Sequence, residues 1–216
     1  MDVVLENLPL YGQGLLRTLF LSAVSGAIAL ILGAVLAAAR VSPVGALRGF
    51  STVYVEVLRN TPLTIAFFFA AVVLPRLGVK FEQFEIAAII ALSTYTAAFV
   101  AEAIRSGVNS VPIGQAEAAR SIGMNFGKVL SLIILPQAFR TVIPPLINIL
   151  IACIKNSSVA GAFFVLELFG YGRQIANDHG DQVLAVLLGV AFFYLLLIIP
   201  LGLVSHQVER KVAIAR

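Results

Sequence analysis

A few charged and hydroxyl-bearing side chains interrupt the apolar stretches of this chain, and they are its best candidates for chemistry. They form two groups: Thr94, Tyr95, Thr96 and Glu102 in one stretch, and Lys155, Asn156, Ser157 and Ser158 at the end of another. A cation with hydroxyl groups can bind an anionic group, and a carboxylate or backbone carbonyls can bind a cationic one. If the fold brings the two groups together, they can bind a small molecule that carries both charges.

The usual patterns of nucleotide, hydrolytic and metal sites are absent from the sequence. It contains no G-x-x-x-x-G-K-[ST], no G-x-S-x-G and no H-E-x-x-H. His179 and His206 have no further ligands at metal spacing. Cys153, the single cysteine, cannot form an internal disulfide. The chain is therefore expected to hold no metal or cofactor of its own.

Composition indicates that lipid surrounds the elements that carry these residues. Hydrophobic residues make up 60% of the 216 residues and charged residues only 12%, whereas a soluble domain carries about 25% charged residues. Uncharged runs at 18–39 and 182–208 each exceed the roughly 20 residues that cross a bilayer. The sequence predicts one all-α membrane domain over residues 1–216. Its five predicted spans are 15–39, 51–74, 84–105, 129–154 and 183–208.

Several spans contain residues that interrupt the apolar pattern. Glu56 with Arg59, and Glu102 with Arg105, are each spaced three residues apart, so each pair can meet on one helix face. A local ion pair is the plain interpretation of both. The fourth span is expected to be broken by its prolines, which are Pro136, Pro144 and Pro145.

The distribution of Lys and Arg predicts the orientation. With the N-terminus outside and the C-terminus inside, ten of the 15 Lys and Arg residues fall on the inner side, as the positive-inside rule favours. The net charge of +4 is thereby explained by topology, and no nucleic-acid partner is expected.

The longest inner segment, between the third and fourth spans, predicts a short amphipathic helix at about 111–126. Ser110 can cap it, and Pro112 suits a first helical turn. Apolar residues recur on one face, namely Ala116, Ala119, Ile122 and Phe126. Such a helix lies on the bilayer or seats in a groove of another protein. Because most of the apolar side chains are small and would bind lipid weakly, the groove of another protein is favoured. The segment around Gly170-Tyr171-Gly172, between the last two spans, is expected to be a loop.

Two stretches of this inner region together resemble the EAA loop of binding-protein-dependent ABC importer permeases. They are Gly114-Gln115-Ala116-Glu117-Ala118-Ala119-Arg120-Ser121-Ile122-Gly123 and Ile134-Leu135-Pro136-Gln137-Ala138-Phe139-Arg140. The spacing from Glu-Ala-Ala to Gly and on to Leu-Pro is that family's pattern.

Further stretches are similar to the polar amino-acid branch of this family. They are Arg59-Asn60-Thr61-Pro62-Leu63, Phe99-Val100-Ala101-Glu102-Ala103-Ile104-Arg105-Ser106-Gly107 and Lys155-Asn156-Ser157-Ser158. Within the branch, residues 41–43, 59–64 and 95–102 look most like a glutamate-uptake permease of actinobacteria. Glutamine, aspartate, arginine and histidine stay open as substrates.

The resemblance implies a type I ABC importer permease of the bacterial cytoplasmic membrane. The inner helix would be a coupling helix seated on an ATPase dimer, which binds ATP and Mg. A second permease subunit, a sister chain or a copy of this one, and an extracytoplasmic binding protein would complete the importer. The residues that would couple to the ATPase are Gly114, Gln115, Glu117, Ala118, Ala119, Arg120 and Gly123.

A substrate site is then expected near mid-membrane, from the third and fourth spans and the segment that follows. The two groups named first would form this path and bind an α-amino acid. Alternatively, Lys155 extends to the outer interface while Ser157 and Ser158 cap the next helix. Structural roles are expected for Glu56, Arg59, Pro62 and Pro136.

Two other functional classes stay open. An intramembrane enzyme would use Glu102, Lys155 or Ser157, although no nucleophile–base motif supports it. A membrane scaffold would explain the spans but not the EAA spacing.

Overall fold

The computed structural model describes residues 2–81 and 83–212, and every regular element in these ranges is helical. The first half contains α1 (Asp2–Glu6), α2 (Leu8–Arg40), α3 (Gly45–Arg59), α4 (Leu63–Phe68), a π-helical turn at 69–73 and α5 (Leu74–Arg76). The second half contains α6 (Phe84–Asn109), α7 (Ile113–Ser121), α8 (Phe126–Val129), a π-helical turn at 130–134, α9 (Leu135–Asn156), α10 (Ser158–Ala162), α11 (Leu168–Asp178) and α12 (Val183–Val212). Glu82 and Arg216 lie outside the described residues.

Four continuous helices of the described chain are long and apolar enough to cross a membrane. They are Leu8–Arg40, Phe84–Asn109, Phe126–Ala162 and Val183–Lys211. A bent pair of helices, Gly45–Arg59 and Leu63–Arg76, makes a fifth crossing possible. The predicted all-α membrane fold is confirmed, and the helices extend beyond the predicted spans.

The expectation of a single helix over 51–74 is wrong, because the chain turns by 108° between α3 and α4. Pro62 has no N–H and disfavours helical backbone at the residue before it. The exposed carbonyls at the end of α3 are satisfied locally: Asn60 donates to Glu56 O at 2.8 Å and Thr61 donates to Val57 O at 2.7 Å. The sequence around Pro62 therefore ends one helix and starts another.

The expectation that prolines break the fourth span is also wrong, since helix continues from Phe126 to Ala162. A π-helical turn at 130–134 comes just before Leu135-Pro136, and another at 69–73 comes just before Leu74-Pro75. A wider turn accommodates a residue that cannot donate to the carbonyl four positions earlier. Pro144 and Pro145 lie inside α9.

Small residues let α2 and α6 pack closely at the centre of the molecule. A Cβ added at Gly33 would lie 2.5 Å from Val100 Cγ1 and 2.9 Å from Ala97 O. Ala29, Ala97 and Ala101 are buried in the same interface. Without a hydrophobic force between helices in lipid, such close contact is what holds them together.

The inner helix and the last loop both differ from their predictions. The inner helix is α7, shorter than 111–126, and Pro112 takes the position before it. Ser110 does not cap it; its hydroxyl donates back to Gly107 O at the end of α6. The segment around Gly170-Tyr171-Gly172 is helical and belongs to α11.

Candidate functional site

Helix α7 carries the residues expected to couple to an ATPase, and most of them are exposed. The predicted apolar face is not uniform, because the helix ends at Ser121. Ala119 is buried, whereas Ile122 is 79% and Phe126 67% exposed. Ile113, at the start of the helix, is 77% exposed. Large apolar side chains therefore flank α7 on a surface that this chain does not cover.

A Schellman motif ends α7. Gly123 adopts φ +86, a conformation that other L-residues rarely adopt. Its N–H donates to Arg120 O at 3.0 Å, and the N–H of Met124 donates to Ala119 O at 3.2 Å. Gly123 thus sets where the helix stops and in which direction the chain leaves it.

A side-chain hydrogen bond joins α7 to α9. Gln137 Nε2 donates to Gln115 Oε1 and also to Ile133 O, in the π-helical turn before α9. Both glutamines belong to the motif on which the family resemblance rests. The structure therefore brings the two separated stretches of that motif into contact.

Five charged side chains form a cluster where α2, α3 and α6 meet. Arg40 pairs with Glu102 and lies 2.9 Å from Glu56. Arg105 pairs with Glu102 at 2.5 Å, and Arg59 lies 3.5 Å from Glu102. The predicted local pair of Glu102 and Arg105 is confirmed. The predicted pair of Glu56 and Arg59 is wrong, because each pairs with another helix.

A cavity of about 380 Å³ adjoins this cluster between α3, α6 and α9. It is lined by Arg59, Phe99, Glu102, Ala103, Ser106, Gly107, Thr141, Pro145 and Ile149. The guanidinium of Arg59 lies 5.8 Å from the ring centroid of Phe99, and the Phe99 ring packs against Tyr95 at 5.1 Å. Tyr95, Phe99 and Glu102 therefore follow one face of α6, as their spacing predicts.

The other candidate path residues of α6 have local partners. Thr94 donates to Ile90 O at 2.6 Å, and its carbonyl accepts from Tyr54 OH at 2.9 Å. Thr96 is buried beside the thiol of Cys153 on α9. These hydroxyl groups stabilise helix packing in the described chain.

The second group, at the end of α9, is divided between the interior and the surface. Ser157 is fully buried beside Tyr194 and donates to Ile154 O. Ser158 donates to Lys155 O. Neither serine side chain caps α10. Lys155 is exposed and Asn156 half-buried. Among the described residues, the cavity between α3, α6 and α9 is lined by Glu102 of the first group and by none of the second.

Glu167 is a prominent polar residue that the sequence analysis missed. Its carboxylate is fully buried and accepts four hydrogen bonds: from Phe169 N, Gly170 N, Tyr194 OH and Thr18 Oγ1. It caps α11 and joins that helix to α2 and α12. Burial raises the pKa of Glu167, and the four donors offset part of that effect.

The chain is similar to known transport proteins over nearly its whole length. Residues 29–214 match the family described as "Binding-protein-dependent transport system inner membrane component". A probable glutamine ABC transporter permease protein, GlnM of Bacillus subtilis, is 38% identical over 97% of this chain and 96% of its own length. The glutamate transport system permease protein GluC of Corynebacterium efficiens is 37% identical over 92% of each chain. The L-cystine transport system permease protein TcyB of Bacillus subtilis is 39% identical over 97% of this chain and 90% of its own.

Solved structures share the same architecture. The crystal structure of an amino acid ABC transporter with histidines superposes with a TM-score of 0.91 at 28% identity, covering 96% of each chain. An inward-facing structure of the MetNI methionine ABC transporter gives a TM-score of 0.78 at 21% identity over 97% of this chain and 99% of that one. The second likeness concerns the fold alone.

Proposed function

Because the chain belongs to the family of binding-protein-dependent transport system inner membrane components, we propose that it carries a polar amino acid, with glutamate favoured, across the cytoplasmic membrane. It is a permease subunit of an amino acid ABC importer. The subunit is not catalytic, and a separate chain hydrolyses ATP. The proposed assembly has an ATPase dimer that binds ATP and Mg, a second permease subunit and an extracytoplasmic binding protein.

One observation carries the proposed coupling to the ATPase: α7 is a short helix, ended by a Schellman motif, with exposed Ile113 and Ile122 at its two ends. It lies between two spans and is tied to α9 through Gln115 and Gln137. A helix held this way can pass on a rigid-body displacement. Glu117 is exposed and can bind a partner through hydrogen bonds or charge.

Replacing Glu117 by Lys tests the coupling role. The Glu117→Lys complex is expected to lose its ATPase subunit or its coupled ATP hydrolysis, while the permease still inserts in the membrane. Glu6→Lys makes the same charge change on the exposed surface of α1 and is the matched control. Wild-type uptake by the Glu117→Lys complex would contradict the coupling role of α7.

The amino acid carried is inferred from similarity. Relatives of comparable identity are named for glutamine, glutamate and L-cystine, and the stretches at 59–64 and 95–102 favour glutamate. Uptake into membrane vesicles, measured separately with labelled glutamate, glutamine and cystine and each time in competition with unlabelled glutamate, tests this assignment. We expect labelled glutamate to be taken up best and unlabelled glutamate to reduce the uptake of the other two. Uptake of labelled glutamine or cystine that glutamate does not reduce, with no uptake of labelled glutamate, would replace the substrate without changing the class of transporter.

The proposed path runs along α6 and the end of α9. Three members of the two groups remain open to a ligand: the half-buried Tyr95 and Asn156, and the exposed Lys155. Lys155 would pair with the α-carboxylate of the amino acid. Thr94, Thr96, Ser157 and Ser158 would hold the helices that present these groups. In this proposal the N-terminus lies outside and the C-terminus inside.

A further inference from the structure

The five-residue charge cluster contains more positive than negative charge. Three guanidinium groups, those of Arg40, Arg59 and Arg105, face two carboxylates, those of Glu56 and Glu102. Arginine stays charged in proteins and Glu102 accepts from more than one arginine. The cluster as a whole therefore carries one uncompensated positive charge, and this excess favours an anionic partner.

Arg59 is the arginine whose donors remain free. Its guanidinium lies 3.5 Å from Glu102, whereas Arg105 reaches the same carboxylate at 2.5 Å. The side chain of Arg59 is 36% exposed and that of Arg40 only 11%. Within residues 2–81 and 83–212, Arg40 and Arg105 donate hydrogen bonds to Glu102, and Arg59 donates none.

The free side of Arg59 opens into the cavity of about 380 Å³ described above. Ser106 of α6 and Thr141 of α9 line the cavity; the Thr141 hydroxyl donates to Gln137 O, so Ser106 offers the hydroxyl donor for a ligand. The Phe99 ring lies 5.8 Å from the guanidinium of Arg59. This combination of a planar cation with a nearby hydroxyl group suits a carboxylate, which arginine can bind through two parallel hydrogen bonds.

We infer that Arg59 forms a second binding position for a carboxylate of the transported amino acid, on the inner part of the path. The inference rests on the proposed function. The oxygens of Glu102 are already engaged by arginines, so the cavity offers no free carboxylate for an ammonium group. The Arg59 position would thus have the same role as Lys155 at the other end of the path, since both would bind the anionic end of the substrate.

Equilibrium binding to the purified permease–ATPase complex, free of nucleotide and binding protein, tests the inference. The probe is labelled glutamate or labelled glutamine, whichever the wild-type complex imports. Arg59→Gln is expected to raise its Kd at least about ten-fold, equivalent to about 1.4 kcal/mol. Arg59→Lys, which keeps the charge and loses the planar fork, is expected to lie between. Arg48→Gln removes another arginine of α3, whose side chain donates to Ser42 O and does not line this cavity among the described residues, and should leave Kd unchanged.

Competition experiments distinguish a site for the carboxylate of the substrate from a site that binds any anion. Glutarate, which has two carboxylates and no ammonium, should displace the probe from wild type and lose this ability in Arg59→Gln. Displacement by equal concentrations of chloride or inorganic phosphate would overturn the assignment to substrate.

Thermal stability separates binding from structure. Arg59→Gln leaves the hydrogen bonds from Arg40 and Arg105 to Glu102 in place, so the melting temperature of the ligand-free complex should stay unchanged while the Kd rises. A Kd that rises only together with a loss of ligand-free thermal stability would show that Arg59 is merely structural. An unchanged Kd in Arg59→Gln would overturn the inference while leaving the importer intact. Absence of uptake of any amino acid by the wild-type assembly would instead overturn the proposed function.

Discussion

Glu167 places an ionisable group where no water reaches it, and its four hydrogen-bond donors come from three helices or their caps. The adjoining Gly161 leaves the space for it, since a Cβ there would lie 2.3 Å from Glu167 Oε1. Removing the acceptor would leave buried N–H and O–H groups unpaired, which is more costly than losing one net hydrogen bond. Glu167 therefore stabilises the junction of α2, α11 and α12.

Truncation of this side chain should be strongly destabilising. Glu167→Ala is expected to lower the free energy of unfolding by about 3 kcal/mol, because several buried donors lose their acceptor. Glu167→Gln keeps the shape and most acceptor capacity, so a loss of about 1 kcal/mol is expected. Thermal unfolding of the purified complex measures both. Equal melting temperatures for the two variants would contradict the role of the hydrogen bonds.

The raised pKa of Glu167 predicts a pH dependence. A carboxyl whose pKa is higher in the folded than in the unfolded chain contributes stability at low pH, and that contribution is lost as pH rises through the folded-state pKa. Between about pH 8 and about pH 5, the melting temperature of wild type should therefore rise relative to that of Glu167→Gln as the pH falls. The opposite slope would show that the carboxylate is favoured in the folded protein.

The inner loop shows how a local signal determines a helix. Gly123 at φ +86 lets the chain reverse after α7, so both hydrogen bonds of the Schellman motif form. Gly127 has no such constraint, since a Cβ added there would contact only Asn125 Oδ1, at 3.7 Å. The two glycines are four residues apart and make a matched pair.

Replacing each glycine by alanine should distinguish the effect of the positive φ angle at Gly123 from the effect of losing a glycine in this loop. Gly123→Ala is expected to destabilise the end of α7 by about 1 kcal/mol or more and to lower the amount of amino acid imported per ATP hydrolysed. Gly127→Ala should leave coupling unchanged, because its backbone already suits alanine. The ratio of amino acid imported to ATP hydrolysed, measured for both complexes in vesicles, checks the difference. A lowered ratio in Gly127→Ala alone would contradict this account of the loop.

Sequence alone predicts the first and last spans well, because the uncharged runs at 18–39 and 182–208 leave few alternatives. It does not predict the bend within the second. It does not predict partners between helices. Glu56 and Arg59 have the spacing of a local pair and both lie in α3, yet Glu56 pairs with Arg40 of α2 and Arg59 with Glu102 of α6. The sequence did not identify Glu167 as a buried residue, because a single glutamate beside glycines is typical of an exposed loop. The family motif was recognisable because its two parts keep fixed residue types, although only the fold shows that Gln115 meets Gln137.

The distribution of Lys and Arg along the chain predicts which ends of the helices face each side of the membrane. Gly180, between α11 and α12, and Gly45, at the start of α3, are exposed glycines with open space around them, so a cysteine fits at either. Cys153 is buried and can be replaced by serine as a background. Gly180→Cys should react with a membrane-impermeant maleimide in intact cells, and Gly45→Cys only after permeabilisation. The reverse pattern would invert the proposed orientation.

Helix continues over the 37 residues from Phe126 to Ala162, which at 1.5 Å per residue makes a rod of about 55 Å. The hydrocarbon core measures about 30 Å, so this helix must lean or extend beyond the hydrocarbon. Gln137 joins it to α7, and Lys155 lies toward its other end. At 1.5 Å per residue the two positions are about 27 Å apart, so a lean of about 5° about Gln137 displaces Lys155 by about 2 Å. A movement of α7 that tilts this helix therefore also moves the proposed carboxylate partner of the substrate.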